Sequence, residues 1–179
     1  MTTRSISYRT WLYLALVFTA VMILYAQFVL GYFSETFAIP GATNSLGLST
    51  GYSWQEVMHF LQLRSGDQLA SYINFLRVWD TIFPILYTLM YACWILFLFH
   101  KWRWVLILPA NRMCIDWMEN YLEISMVQEY LKNGIVSNDA VNWASSMTQI
   151  KWGLSYVIYA LILVGIVIKI RKHKSISTT

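Results

Sequence analysis

Four long apolar runs dominate the pattern of the chain. Trp11–Phe33 carries no charge, and Val78–Phe99 is interrupted only by Asp80. Trp104–Ser125 contains Arg112, Asp116, Glu119, Asn120 and Glu123 among apolar residues. Asn142–Ile168 has Lys151 near its start. A helix needs about 20 residues to cross the hydrocarbon core, so each run is long enough. The pattern predicts an all-α, polytopic membrane protein. It is a bundle of four transmembrane helices with spans at about 11–33, 78–99, 104–125 and 142–168.

The segment 34–77 reads differently. From Pro40 to Gly51 it is rich in turn formers and predicts irregular chain. Ser53-Trp54-Gln55-Glu56 has the spacing of a capping box. Val57, Phe60, Leu61 and Leu63 follow, with His59, Gln62 and Arg64 between them, which is amphipathic at helical spacing. Gly66 interrupts the pattern. Ser65-Gly66-Asp67-Gln68 offers a second capping box, and Leu69, Tyr72, Ile73 and Leu76 continue an apolar face into the second span. A short amphipathic lid on the outer membrane face is expected. The His100–Arg103 turn makes spans two and three an antiparallel hairpin, with Trp102 and Trp104 at the water boundary. Asn133-Gly134 is the expected stop of the third helix, and Ser137-Asn138-Asp139 the expected start of the fourth.

Composition supports the membrane class. The chain is 58% hydrophobic and 12% charged, against about 25% charge in soluble domains. Its 179 residues suffice for one membrane domain. Orientation follows from the bases. Arg4 and Arg9 precede the first span, Lys101 and Arg103 lie between spans two and three, and Lys169, Arg171, Lys172 and Lys174 follow the last. Cytoplasmic loops collect Lys and Arg. The three clusters share one side only if Trp104–Ser125 crosses the bilayer instead of lying on it. Both termini are therefore expected in the cytoplasm, with 34–77 and 131–141 external; in a bacterium the membrane is the plasma or inner membrane. The first apolar run has about 20 residues against roughly 7–15 for a signal h-region, so a retained signal anchor is expected. Cys93 and Cys114 both fall in spans and read as small apolar groups.

The candidate chemistry lies in the spans. An ionisable residue there costs about 2.5–3.5 kcal/mol on insertion scales and needs a partner or water. At about 100° per residue, Arg112, Asp116, Glu119, Asn120 and Glu123 form one stripe on span three. Asp80, Pro84, Tyr87, Thr88 and Tyr91 share a face of span two; Thr148, Lys151, Ser155 and Tyr159 share a face of span four. At about 1.5 Å rise per residue, Asp80, Lys151 and Glu123 are nearest the external boundary, Asp116 is near mid-membrane and Arg112 is deeper. The expected site is Asp80, Tyr87, Arg112, Asp116, Glu119, Asn120, Glu123, Lys151, Ser155 and Tyr159, a polar cavity open to the external face. Asp80 and the span-three acids are the expected partners of Lys151, in a charge network joining spans two, three and four. Four acids against two bases leave a surplus of two negative charges, which protons or a bound cation must cancel.

Three functions fit this pattern. The first is binding of a small lipophilic or amphiphilic molecule, or a structural membrane role in which the ion pairs fix helix register. The second is an acid–base isomerase acting on a lipid or sterol-like substrate. The third is a cation or proton path in an oligomer. His59, His100 and His173 are scattered, and there is no CxxC, P-loop, GxSxG or HExxH. No cofactor, metal or nucleic acid is expected. The expected partners are the lipid bilayer, a lipophilic small molecule and a second copy of the chain.

Four stretches carry a resemblance. They are Gly51-Tyr52-Ser53-Trp54-Gln55-Glu56-Val57, Asp80-Thr81-Ile82-Phe83-Pro84-Ile85-Leu86-Tyr87, Asp116-Trp117-Met118-Glu119-Asn120 and Thr148-Gln149-Ile150-Lys151-Trp152. In this order they resemble an uncharacterised, mostly bacterial family of small four-span membrane proteins. The resemblance covers about Ser49–Lys169 and implies fold and topology but no activity. A looser similarity is to the four-helix membrane domain of the sterol isomerase and sigma-2 receptor type. It implies intramembrane carboxylates lining a pocket for sterols and amphiphilic amines. Lys151 is an addition to that pattern.

Overall fold

The computed structural model describes residues 8–176, with side chains to Arg171. Arg4 lies outside the described residues, and Lys172 and Lys174 outside the described side chains. Among the described residues, five longer helices make up the fold: α1 (Tyr8–Phe37), α2 (Trp54–Gln62), α3 (Gly66–Leu98), α4 (Ile107–Asn133) and α5 (Asn138–Ile176). The described residues contain no strand. Helices α1, α3 and α5 are each long and apolar enough to cross a membrane. Helices α3 and α5 begin before the apolar segments read from the sequence, at serine caps on Ser65 and Ser137.

Local chemistry sets the boundaries. Both capping boxes form. Ser53 accepts from the Glu56 amide at 3.3 Å while its own amide donates to the Glu56 carboxylate at 2.6 Å. Ser65 and Gln68 repeat the exchange at 3.3 and 3.0 Å. Each box satisfies two amides that a helix start leaves without partners. Helix α4 stops at Gly134, whose φ of 73° is left-handed and whose amide donates to the Tyr130 carbonyl. Ser137 then accepts from the Ala140 amide at 3.3 Å to start α5.

Helix α3 runs without a break from the amphipathic segment into the apolar run. It widens into a π turn at Phe75–Trp79 and holds Pro84 inside. Both features disturb the i→i−4 ladder, and side chains engage carbonyls along this stretch. Thr81 donates to Leu76 at 2.8 Å, Tyr25 of α1 to Trp79 at 2.7 Å, and Trp117 of α4 to Thr81 at 3.1 Å. The irregular stretch thereby ties α3 to its neighbours on both sides.

The larger apolar core lies at the loop end of the bundle. Val57, Phe60 and Leu61 of α2 and Leu69, Tyr72 and Leu76 of α3 pack with Phe37, Leu46, Met126, Val127, Val141 and Ala144. The segment 34–77 is thus more than the thin lid expected; it folds as a cap on the ends of α4 and α5. Arg64 pins it. Its buried guanidinium donates to the carbonyls of Phe37, Phe60 and Thr43 at 3.0, 2.8 and 2.7 Å and sits 3.6 Å over the Phe60 ring. A smaller core of Tyr87, Met90, Tyr91 and Ile158 lies further along the bundle. Helix α1 packs on α3, with Trp94 donating to Thr19 at 3.1 Å. Its remaining faces, including Tyr13, Val17, Phe28 and Tyr32, are exposed.

Candidate functional site: a charge cluster beneath the Gly47 loop

Helices α4 and α5 are antiparallel, and their polar faces meet in register. Thr148 donates to Glu119. Lys151 bonds Glu119 and lies 3.3 Å from Asp116. One turn deeper, Arg112 donates to the Ser155 hydroxyl at 2.6 Å, and Ser155 donates to the Lys151 carbonyl at 2.8 Å. Helix α3 closes the other side. Tyr87 donates to Asp116 at 2.8 Å, and the Arg112 guanidinium stacks 3.7 Å over the Tyr87 ring. Asn120 donates to the Leu76 carbonyl at 3.5 Å. Arg112, Asp116, Glu119, Asn120, Glu123, Lys151 and Ser155 are all buried, Glu119 and Glu123 at 1% exposure.

Two expected members stand apart. Lys151 pairs with Asp116 and Glu119, not with Asp80. Its ammonium is committed to α4, the neighbour whose register it shares, while Asp80 is half-buried beside Asn120 and within electrostatic reach of Asp116 and Lys151. Tyr159 is 44% exposed. Its ring meets Tyr91 edge-on at 5.7 Å at the α3–α5 seam and does not enter the cluster.

The expected open mouth is closed. The turn Leu46–Leu48 crosses directly over the cluster, and the Gly47 carbonyl accepts from Lys151 at 3.1 Å. A Cβ at Gly47 would stand 3.2 Å from the Lys151 ammonium and 3.4 Å from an oxygen of each of Glu119 and Glu123. A side chain here would push the ends of Lys151, Glu119 and Glu123 back by a few tenths of an ångström, so glycine keeps the turn close to the cluster. Tyr72 anchors the same turn. Its hydroxyl bonds Glu123, lies 3.2 Å from the Ser45 hydroxyl and accepts from the Leu46 amide at 3.3 Å. The far end of the turn is held by the Tyr52 amide, which donates to Ser145 at 3.0 Å. Burial, with Glu123 close by, pushes the Tyr52 phenol upward, so its hydroxyl stays neutral.

Not every buried polar atom is satisfied. The second oxygen of Glu123 and one terminal nitrogen of Arg112 have no hydrogen-bond partner. The unpartnered Glu123 oxygen is the one beneath Gly47. Among the described residues, no group of three or more His, Cys, Asp or Glu is arranged to hold a metal ion. Gly47 and Tyr72 were not singled out from sequence. Gly47 sits in a turn-rich stretch with no local mark, and Tyr72 reads as one more residue of an apolar face.

No protein-family profile, curated protein or solved structure matches the chain.

Proposed function

We propose that α4 is a fourth membrane span, that both termini are cytoplasmic, and that the cluster binds the amine head of a small amphiphile beneath a removable roof formed by residues 38–52. Helix α4 carries too much charge to qualify as a span by composition. Burial supports the assignment, because its charged stripe turns inward while Trp117, Met118 and Tyr121 face outward. Hydrocarbon then meets only the apolar side. Three basic clusters at even span separation support the orientation.

The observation that carries the ligand is the unpartnered, fully buried Glu123 oxygen. A buried acceptor left without a donor costs about 1–3 kcal/mol, more when charged. An ammonium head supplies that donor and offsets part of the surplus of acids in the cluster. Displacing Gly47 admits it, which breaks the Lys151 contact of the roof while Arg64 and Ser145 still hold its two ends.

The test is thermal stability of the detergent-purified chain with a single-chain primary amine or the alcohol of equal length. A ligand confined to the folded state adds about 2.7 kcal/mol at 100 times its Kd. The amine should raise the melting temperature and the alcohol should not, and Glu123→Gln should abolish the difference. Equal effects of amine and alcohol, or an undiminished amine effect in Glu123→Gln, would contradict the reading.

A further inference from the structure

At the end of the bundle away from the Gly47 loop, the α3–α4 turn and the last turns of α5 line an open cavity of about 480 Å³. Its apolar walls include Phe99, Trp102 and Ile168, and its basic residues are His100, Lys101 and Lys169. None of the lining residues is acidic. Gly165 sets its depth: a Cβ there would come within 2.8 Å of the Phe99 ring, so α5 meets Phe99 at backbone distance.

Lys169 is a positioned cation. It donates to the Phe97 carbonyl at 2.9 Å and lies 3.7 and 3.9 Å over the rings of Tyr8 and Phe97. One carbonyl and two rings thus fix its ammonium, and Lys169 brings that positive charge to the cavity lining. Lys101 is exposed across the same opening. Beside the cavity, Leu163, Val164, Val167 and Ile168 give α5 an exposed apolar face. Bases at the mouth and hydrocarbon along the wall match a molecule with an anionic head and an apolar body.

We propose that this cavity binds the phosphate headgroup of an anionic phospholipid, with its acyl chains along the exposed face of α5. Basic pockets between membrane helices on the cytoplasmic side take such headgroups. The proposal rests on the membrane orientation proposed above, with this end of the bundle cytoplasmic, and is independent of the amine site.

The experiment uses the full chain purified in detergent and titrated with phosphatidylglycerol, phosphatidylcholine or inorganic phosphate. Melting temperature and lipid retention in native mass spectrometry are read together. Phosphatidylglycerol should be retained and should raise the melting temperature above the phosphatidylcholine value, while phosphate alone should do nothing. Lys101→Gln and Lys169→Gln should each weaken the apparent affinity about fivefold, from roughly 1 kcal/mol per basic residue near the surface. Arg171→Gln removes the same charge at the same end but does not line the cavity, and should weaken affinity by clearly less. If Lys169→Gln fails to fold, the exposed Lys101→Gln decides alone. Equal binding of the two lipids would overturn the proposal. So would an equal loss in Arg171→Gln, which would mean diffuse surface attraction, or a full effect of inorganic phosphate, which would mean a small-anion site.

Discussion

At the scale of residues, Lys151 governs the cluster. It pairs with two buried carboxylates and also holds the roof through the Gly47 carbonyl. Removing one partner of a buried pair typically costs about 3–5 kcal/mol, because the other charge is stranded. Lys151→Met should therefore lower thermal stability in detergent by an amount of that order. Glu119→Gln in the same chain should recover part of it, whereas Asp80→Asn should recover little. A double-mutant cycle on melting stability reads this as a coupling energy. Coupling to Asp80 as large as that to Glu119 would contradict the observed pairing. The polar stripe of α4 was legible in the sequence, because a helical period places charges on a face whatever surrounds it. Which of the expected acids Lys151 meets, Asp116 and Glu119 but not Asp80, was not legible, because pairing depends on how α3, α4 and α5 meet. Gly47 is a stronger case. Its contact with Lys151 spans 104 positions, and nothing local in a turn-rich loop marks one glycine over another.

At the scale of elements, local rules predicted local outcomes. Both capping boxes, the Gly134 stop and the continuation of the amphipathic segment into α3 involve groups a few residues apart, and all were readable from spacing. The π turn at Phe75–Trp79 was not, because an extra residue in a turn leaves no mark in apolar periodicity. The same holds for the packed cap, where one apolar face suits a membrane surface as well as the ends of α4 and α5. The α2 box makes a pH-dependent contribution. The Ser53 amide and hydroxyl donate to the exposed Glu56 carboxylate and hold it below its ordinary value of 4.5. A carboxylate with a depressed folded pKa stabilises above the unfolded value and loses that contribution as pH falls through the folded one. Amide exchange in the first turn of α2 should therefore accelerate as pH falls below about 4.5, relative to intrinsic rates. Glu56→Gln, whose side chain does not titrate, should flatten the dependence. A profile identical in Glu56→Gln and the native chain would show that the box does not respond to this carboxylate.

At the scale of the whole molecule, the cluster has its proposed meaning only if it lies within the bilayer. Three apolar helices can cross whether or not α4 does. What α4 contributes is parity. With α4 as a span, the number of crossings is even and the two ends of the chain share a side. With α4 on the surface, the ends are on opposite sides, and the cluster becomes an interfacial ion-pair network open to water at its edge. At about 1.5 Å per residue, the 27 residues of α4 extend about 40 Å, against a hydrocarbon core of about 30 Å. The length therefore permits a crossing, and the inward turn of every charge between Arg112 and Glu123 permits contact with lipid. The most direct measurement is the sidedness of both termini in intact cells, using single-cysteine probes at each end and a membrane-impermeant reagent. Both probes should be protected until the membrane is opened, with a probe in the 38–52 loop labelled from outside. Labelling of one terminus from outside with protection of the other would contradict a fourth span and remove the cluster from the membrane.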